Sequence, residues 1–136
     1  LPDKVNFNLI ENVTFTIPVI CNSPPKKGMI VTKECQMILF QPQGRLDLEV
    51  GTNLLQQLAI RVSQQDALWV INLAKVDFMD SSGLVSLIKG LKEARACGCR
   101  LVLCNVQANV RLVFELTQLD SVFEIFDTYE NLISNC

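Results

Sequence analysis

The sequence predicts an α/β domain built on a largely parallel sheet, and three observations carry that prediction. Leu68-Trp69-Val70-Ile71-Asn72-Leu73 and Leu101-Val102-Leu103-Cys104 are nearly unbroken apolar runs, the mark of strands buried on both faces. Segments with apolar residues at helical spacing separate these runs, and strands alternating with helices of about 10–15 residues imply right-handed crossovers. The 136 residues are the size of one domain, long enough to bury a core without metal or disulfide staples.

The first segment, 1–28, stands apart as an N-terminal extension to a main domain at 29–136. Val13-Thr14-Phe15-Thr16-Ile17-Pro18-Val19 alternates apolar and polar residues, reading as a half-buried strand that Pro18 confines to an edge or an end. Asn22-Ser23-Pro24-Pro25-Lys26-Lys27-Gly28 is turn or linker chemistry. The extension is expected to be an extra strand or arm. It is either loosely appended or laid along the sheet edge of this copy or a neighbouring one, which would make a dimer through that strand.

From Met29 the pattern becomes regular. Met29–Thr32 and Met37–Gln41 read as two strands of a hairpin with Lys33-Glu34-Cys35-Gln36 as its loop. Turn residues Pro42–Asp47 follow, then a helix over about 50–62 with Leu54, Leu55, Leu58 and Val62 on one side. Gln64-Gln65-Asp66 breaks that helix before the strand at 68–73. Leu84, Leu87, Ile88 and Leu91 predict a helix over about 82–96, closed by Gly98 as a left-handed cap. After the strand at 101–104, a helix over about 107–118 has Val110, Val113, Phe114 and Leu116 as expected core contacts. A strand at 122–126 and a helical turn at 129–134 end the chain.

Composition narrows the function. The formal net charge is -2, from 12 basic and 14 acidic side chains, without the concentrated basic face that direct nucleic-acid binding needs. No apolar stretch approaches the roughly 20 residues of a membrane span, and no basic-then-apolar leader opens the chain. A cytoplasmic location is expected. The six cysteines read as reduced, structural thiols. Histidine is absent, which removes a Ser-His-Asp triad and the commonest mixed metal sites. Phosphate-cradling and dinucleotide-binding glycine motifs are absent too. A non-enzyme without cofactor or metal is expected.

The organising stretch is Val76-Asp77-Phe78-Met79-Asp80-Ser81-Ser82-Gly83-Leu84, read as a strand-to-helix loop at the carboxyl end of a strand, where open α/β sheets place their sites. A hydroxyl at Ser81 or Ser82 can cap the helix that follows, and a phosphate there would meet its first N–H groups. Ser82 is the expected cap or supporting hydroxyl. Asp77 and Asp80 read as solvated loop acids, and Gly83 as either room for an approaching partner or close packing of helix on strand.

Phe78-Met79-Asp80-Ser81-Ser82-Gly83-Leu84 closely resembles the regulatory loop of the anti-sigma factor antagonists, the bacterial branch of the STAS domain family. A second point of likeness is Gly44-Arg45-Leu46-Asp47, similar to the family's Gly-x-Leu-Asp. The resemblance covers roughly residues 29–136 and implies a STAS-like fold: a mixed, largely parallel β-sheet with helices mainly on one face. It implies phosphorylation of Ser81 by a GHKL-type serine kinase that is also an anti-sigma factor and uses ATP and magnesium. The unmodified protein would sequester that kinase, and a PP2C-type phosphatase would reset the switch. Gly44, Leu46, Asp47, Met79, Asp80, Ser82 and Gly83 are the expected partner surface. Two other outcomes fit the same residues: a partner switch acting on a target other than a sigma factor, and a domain that binds a small molecule or nucleotide at the helix N-terminus.

Overall fold

A computed structural model describes residues 9–22, 24–25, 27–60 and 67–134. Its elements run β1 (Leu9–Ile20), β2 (Ile30–Gln41), β3 (Gly44–Leu46), α1 (Leu48–Ile60), β4 (Leu68–Asn72), β5 (Val76–Met79) and α2 (Ser81–Ala96). They continue through β6 (Arg100–Cys104), α3 (Ala108–Leu116), a 3-10 turn (Leu119–Ser121), β7 (Glu124–Phe126) and α4 (Tyr129–Ser134). The main sheet has the order β1-β2-β4-β6-β7; β1 and β2 are antiparallel and every other pair is parallel. β3 and β5 form a separate two-stranded parallel sheet.

The period-two geometry of the strands sorts their side chains onto two faces. Ile38, Phe40, Trp69, Ile71, Leu101 and Leu103 belong to one buried cluster with Leu54 and Leu58 of α1, Leu84, Leu87 and Leu91 of α2, and Val110 and Phe114 of α3. Met37, Leu39, Val70, Val102 and Cys104 belong to a smaller second cluster closed by Leu132 of α4. Three helices therefore cover one face, as expected. The edge-on pair Phe114–Phe123, with ring centroids 5.5 Å apart, ties α3 to the chain entering β7 and contributes about 0.5–1.5 kcal/mol beyond its buried area.

Several expectations are corrected. The predicted loop Lys33–Gln36 is not a turn: β2 runs straight through it, pairing Lys33 with Ile17, Glu34 with Thr16, Cys35 with Phe15 and Gln36 with Thr14. Those four residues include none of the Gly, Pro, Asn or Asp that tight turns favour. The real hairpin turn lies in the segment with turn or linker chemistry, closed by Cys21 N–H to the Met29 carbonyl (2.9 Å) and Gly28 N–H to the Cys21 carbonyl (2.8 Å). Gly28 takes φ +86° there, a value that favours glycine. β1 thus lies along the edge of its own sheet, and Pro18 sits on that edge strand. Leu116 is 75% exposed and makes no part of the core, because α3 is only nine residues long and Leu116 is its last. Val62 and Gln64–Asp66 lie outside the described residues. Among the described residues no helix is long and apolar enough to cross a membrane.

Burial of Cys104, with a smaller contribution from Glu130, pushes its thiol up to about 11. An unfolded chain releases that proton near its ordinary value while the folded chain holds it, so stability falls as pH rises between 9.0 and about 11. In urea titrations across this window the Cys104→Ala variant should lose part of the wild-type slope. Equal slopes would show that this thiol is not linked to folding.

Candidate functional site

The site begins with the short pairing of β3 and β5. Gly44 aligns with Val76, Arg45 with Phe78 and Leu46 with Met79. The partner skips from Val76 to Phe78, so Asp77 is the extra residue of a bulge, which bends the strand and changes which side chains point inward. Val76 and Met79 are buried while Asp77 and Phe78 face out. Residues 76–79, expected as the start of a loop, are therefore a strand. Its inward and outward positions do not alternate, which is why the period-two test misses it.

Each of these strands ends at an aspartate that starts a helix. Asp47 Oδ1 accepts a hydrogen bond from the Val50 N–H at 3.1 Å, and Asp80 Oδ1 accepts one from the Gly83 N–H at 2.9 Å. Both are side-chain caps of the first helical turn, spaced three residues apart. Asp80, not Ser81 or Ser82, is thus the N-cap of α2. Its carboxylate is engaged with the helix end, which corrects its reading as a solvated acid. Asp77 does fit that reading: its side chain is exposed, and its carbonyl accepts a bond from Asn109 Nδ2. Because Leu46 and Met79 are register partners, the caps that follow them start α1 and α2 side by side.

Two glycines let this arrangement close. A Cβ on Gly83 would stand 2.0 Å from the Leu46 carbonyl oxygen, so the absence of a side chain lets the first turn of α2 rest on β3. A Cβ on Gly51 would stand 2.2 Å from Ser86 Oγ, so the absence of a side chain there lets α1 and α2 pack closely. Ser86 Oγ donates to the Ser82 carbonyl at 3.0 Å, satisfying a hydroxyl that is buried at this contact. Between the two readings of Gly83, close packing is the one realised. Gly44 takes φ +80° and its N–H donates to the Lys75 carbonyl at 2.8 Å, a backbone conformation suited to glycine at the start of β3.

The residues expected to form a partner surface divide into two sets. Leu46 and Met79 are 0% and 4% exposed and Gly83 is buried; they support the surface from beneath. Gly44, Asp47, Asp80 and Ser82 are half-buried, and Ser81 is exposed on the first residue of α2. Ser81 and Ser82 open into a shallow groove of about 200 Å³ whose other walls include Leu48, Thr52, Val85 and Lys89. Leu48 and Val85 are 65% and 47% exposed, so the serine sits between two outward-facing apolar side chains. The sequence reading misses both. Val85 lies four residues after Ser81 and Lys89 four further on, a spacing that shares one helix face and is available as a signal. Leu48 has no such signal, because its position depends on the β3–β5 pairing.

Beside the groove, the Arg45 guanidinium lies 4.5 Å from the centre of the Phe78 ring, a cation–π contact worth about 0.5–1 kcal/mol at an exposed site. It steadies Phe78, 43% exposed, as a further outward aromatic next to Asp80. Among the described residues no group of three or more acidic, cysteine or histidine side chains is arranged to hold a metal ion. The chemistry on offer is a reachable hydroxyl in a largely apolar groove, with the Asp47 and Asp80 caps nearby and Lys89 in its wall.

The packing yields a direct check. Gly83→Ala should destabilise the fold by about 1–3 kcal/mol through the forced contact with the Leu46 carbonyl, and Asp80→Ala by about 1 kcal/mol through loss of the cap. Asp80→Ser, which can still accept the Gly83 N–H, should recover most of the second loss in urea unfolding. Equal losses for Ala and Ser at residue 80 would rule out the capping role.

Comparison with known proteins agrees with this architecture. BtrV of Bordetella bronchiseptica, whose name assigns it to the anti-sigma factor antagonists, is 29% identical over 94 residues, spanning 69% of this chain and 81% of BtrV. A Thermotoga maritima crystal structure described as an anti-sigma factor antagonist superposes with TM-score 0.66 at 21% identity, covering 73% of this chain and 86% of that one. The Bacillus protein SpoIIAA in its phosphorylated form superposes with TM-score 0.58 at 23% identity, covering 73% of this chain and 89% of that one. Residues 29–132 match the STAS domain family, the mixed sheet with helices mainly on one face agrees with that match, and the chain belongs to that family.

Proposed function

We propose that this protein is a phosphorylation-controlled binding switch of the anti-sigma factor antagonist type. With Ser81 unmodified it binds a GHKL-type serine kinase that is also an anti-sigma factor, and so frees the sigma factor. Phosphorylation of Ser81 ends the complex, and a PP2C-type phosphatase restores it. The observation that carries this reading is the exposed hydroxyl of Ser81 at the first position of α2, directly after the capping Asp80. Support comes from BtrV, named for the same role, and from SpoIIAA, which is known in both unphosphorylated and phosphorylated forms. The role is regulatory binding in the cytoplasm, with the partner kinase supplying the catalysis.

The mechanism follows from the site's charges. Phosphoryl transfer joins Ser81 Oγ to the γ-phosphorus of ATP and releases ADP, adding about -1.5 to -2 charge at neutral pH. The sequence alone suggests that helix N–H groups would neutralise part of this charge. The Gly83 N–H already serves the Asp80 carboxylate, so the phosphate competes with a resident anion. Asp47 and Asp80 cap neighbouring helices, and Glu49 lies in the first turn of α1. A phosphate arriving here concentrates negative charge between the exposed Leu48 and Val85, and the single charge of Lys89 in the groove wall offsets only part of it. A partner that covers those side chains must then desolvate the phosphate, and about 1.4 kcal/mol of such cost weakens binding tenfold. The fold need not rearrange.

Incubation with the cognate kinase and ATP should place phosphate on Ser81, read by mass spectrometry, and Ser81→Ala should abolish it while Ser82→Ala should not. In pull-downs Ser81→Ala should retain the kinase and Ser81→Asp should lose at least tenfold in affinity. Equal retention by both variants would refute the electrostatic switch. Retention of a kinase that binds no sigma factor would redirect the same switch to another output. Constitutive binding of a nucleotide or small anion, without transfer, would favour the ligand-binding alternative.

A further inference from the structure

The turn from α2 into β6 holds two cysteines around one glycine, far from Ser81 at the other end of the 16-residue helix. Cys97 Sγ lies 3.3 Å from Cys99 Sγ and 3.5 Å from the Ala94 carbonyl. The backbone pins both residues to the same helix end: the Cys97 N–H donates to the Glu93 carbonyl at 3.2 Å, and the Cys99 N–H to the Ala94 carbonyl at 2.8 Å. Gly98 between them takes φ +78°, and a Cβ there would meet nothing within 4 Å. That open, left-handed glycine turns the chain so that the flanking side chains converge. A disulfide needs its sulfurs about 2.05 Å apart, so the pair has roughly 1.3 Å left to travel.

We propose that Cys97 and Cys99 are a dithiol modification site that closes to an intramolecular disulfide by exchange with small, anionic disulfides. Cys97 is half-buried whereas Cys99 is 6% exposed, so Cys97 is the thiol that meets the reagent. Its thiolate attacks one sulfur of the small disulfide, forming a mixed disulfide and expelling one thiol. Cys99 then attacks the Cys97 sulfur, expelling the second. Two protein thiols are oxidised to one disulfide, and the reagent is reduced to two thiols.

A groove of about 230 Å³, lined by Cys99 but not by Cys97, has Arg95, Arg100 and Glu124 in its walls, so it serves the second step: a reagent already joined to Cys97 rests its charged end there while Cys99 faces the mixed disulfide. Glu124 pairs with Arg100, which leaves Arg95 to supply the groove's net positive charge. That suits a reagent carrying carboxylates, such as oxidised glutathione. The ring spans only residues 97–99. Strained disulfides are readily reduced again, as labile and regulatory ones are. Cys104 provides an internal contrast: it is 0% exposed, and burial pushes its thiol up to about 11, so it carries little of the reactive thiolate.

The test uses the full chain, folded, with oxidised glutathione as the probe. Cleavage after Arg95 and Arg100 isolates Ala96-Cys97-Gly98-Cys99-Arg100, so a single fragment reports on both thiols. That fragment should lose two hydrogen atoms on oxidation and regain them with dithiothreitol, while Cys104 stays unmodified and the circular dichroism is unchanged. Cys99→Ser should trap one glutathione on Cys97, and Cys97→Ser should leave Cys99 at least tenfold slower to react. An unchanged wild-type fragment, or one that keeps glutathione without closing, overturns the proposal. So does ring closure only when Cys104 reacts at the same rate, the sign that the chain has unfolded. If the variants do not fold, the mass of the wild-type fragment is sufficient to uphold or overturn the proposal, and none of these readouts depends on phosphorylation at Ser81.

Discussion

Register between two very short strands governs the rest of this molecule's active end. Leu46 and Met79 lie opposite one another in a parallel pairing of only three and four residues. Each is followed by an aspartate whose carboxylate accepts the N–H three residues on. Parallel strands in register therefore become two helices that start in register, and the groove holding Ser81 is the space between those starts. A slip of one residue would turn Leu46 and Met79 outward, separate the caps and move the hydroxyl away from Leu48 and Val85.

The energetics favour a site that changes charge without changing shape. Leu46, Val76 and Met79 are anchored in the main core, the Gly83–Leu46 contact leaves no space for a side chain, and the Ser86 hydroxyl is satisfied within its own helix. Close packing of this sort gives way in steps and does not bend gradually. The phosphate proposed for Ser81 would act on whatever touches the surface more than on the backbone beneath it. The same rigidity makes Leu46, Met79 and Gly83 indispensable although they are hidden: they hold the exposed residues at fixed spacing, as a supporting layer holds a binding site.

Elements with strong periodicity or strong end signals are legible in the residues alone. The buried runs at β4 and β6, the amphipathic stripe of α2 and the short terminal helix at Tyr129–Ser134 fall close to where pattern reading puts them. Errors arise where local pattern and tertiary pairing disagree. Lys33–Gln36 is polar enough to read as a loop, yet it becomes strand because β1 pairs with every residue of it. Val76–Met79 has only four residues and a bulge, so neither length nor alternation marks it as a strand. Leu116 has the spacing of a core residue but stands, exposed, at the last position of α3.

The sequence by itself established the α/β class, the position of the helix that begins at Ser81, and the two Asp-containing motifs, because periodicity and short-range chemistry are written within a few residues of one another. The hydroxyl on which the proposed switch depends was singled out by the loop's resemblance to a known family, since the residues alone left Ser81 and Ser82 equivalent. Long-range pairing supplied the remainder: the neighbouring helix starts, the burial of Leu46, Met79 and Gly83, the exposure of Leu48 and Val85 beside the serine, and the capping role of Asp80. Apart from the Asp80 cap, which reaches only three residues along the chain, these properties belong to contacts between segments more than 30 residues apart, such as Leu46 with Met79, and no local pattern encodes that pairing.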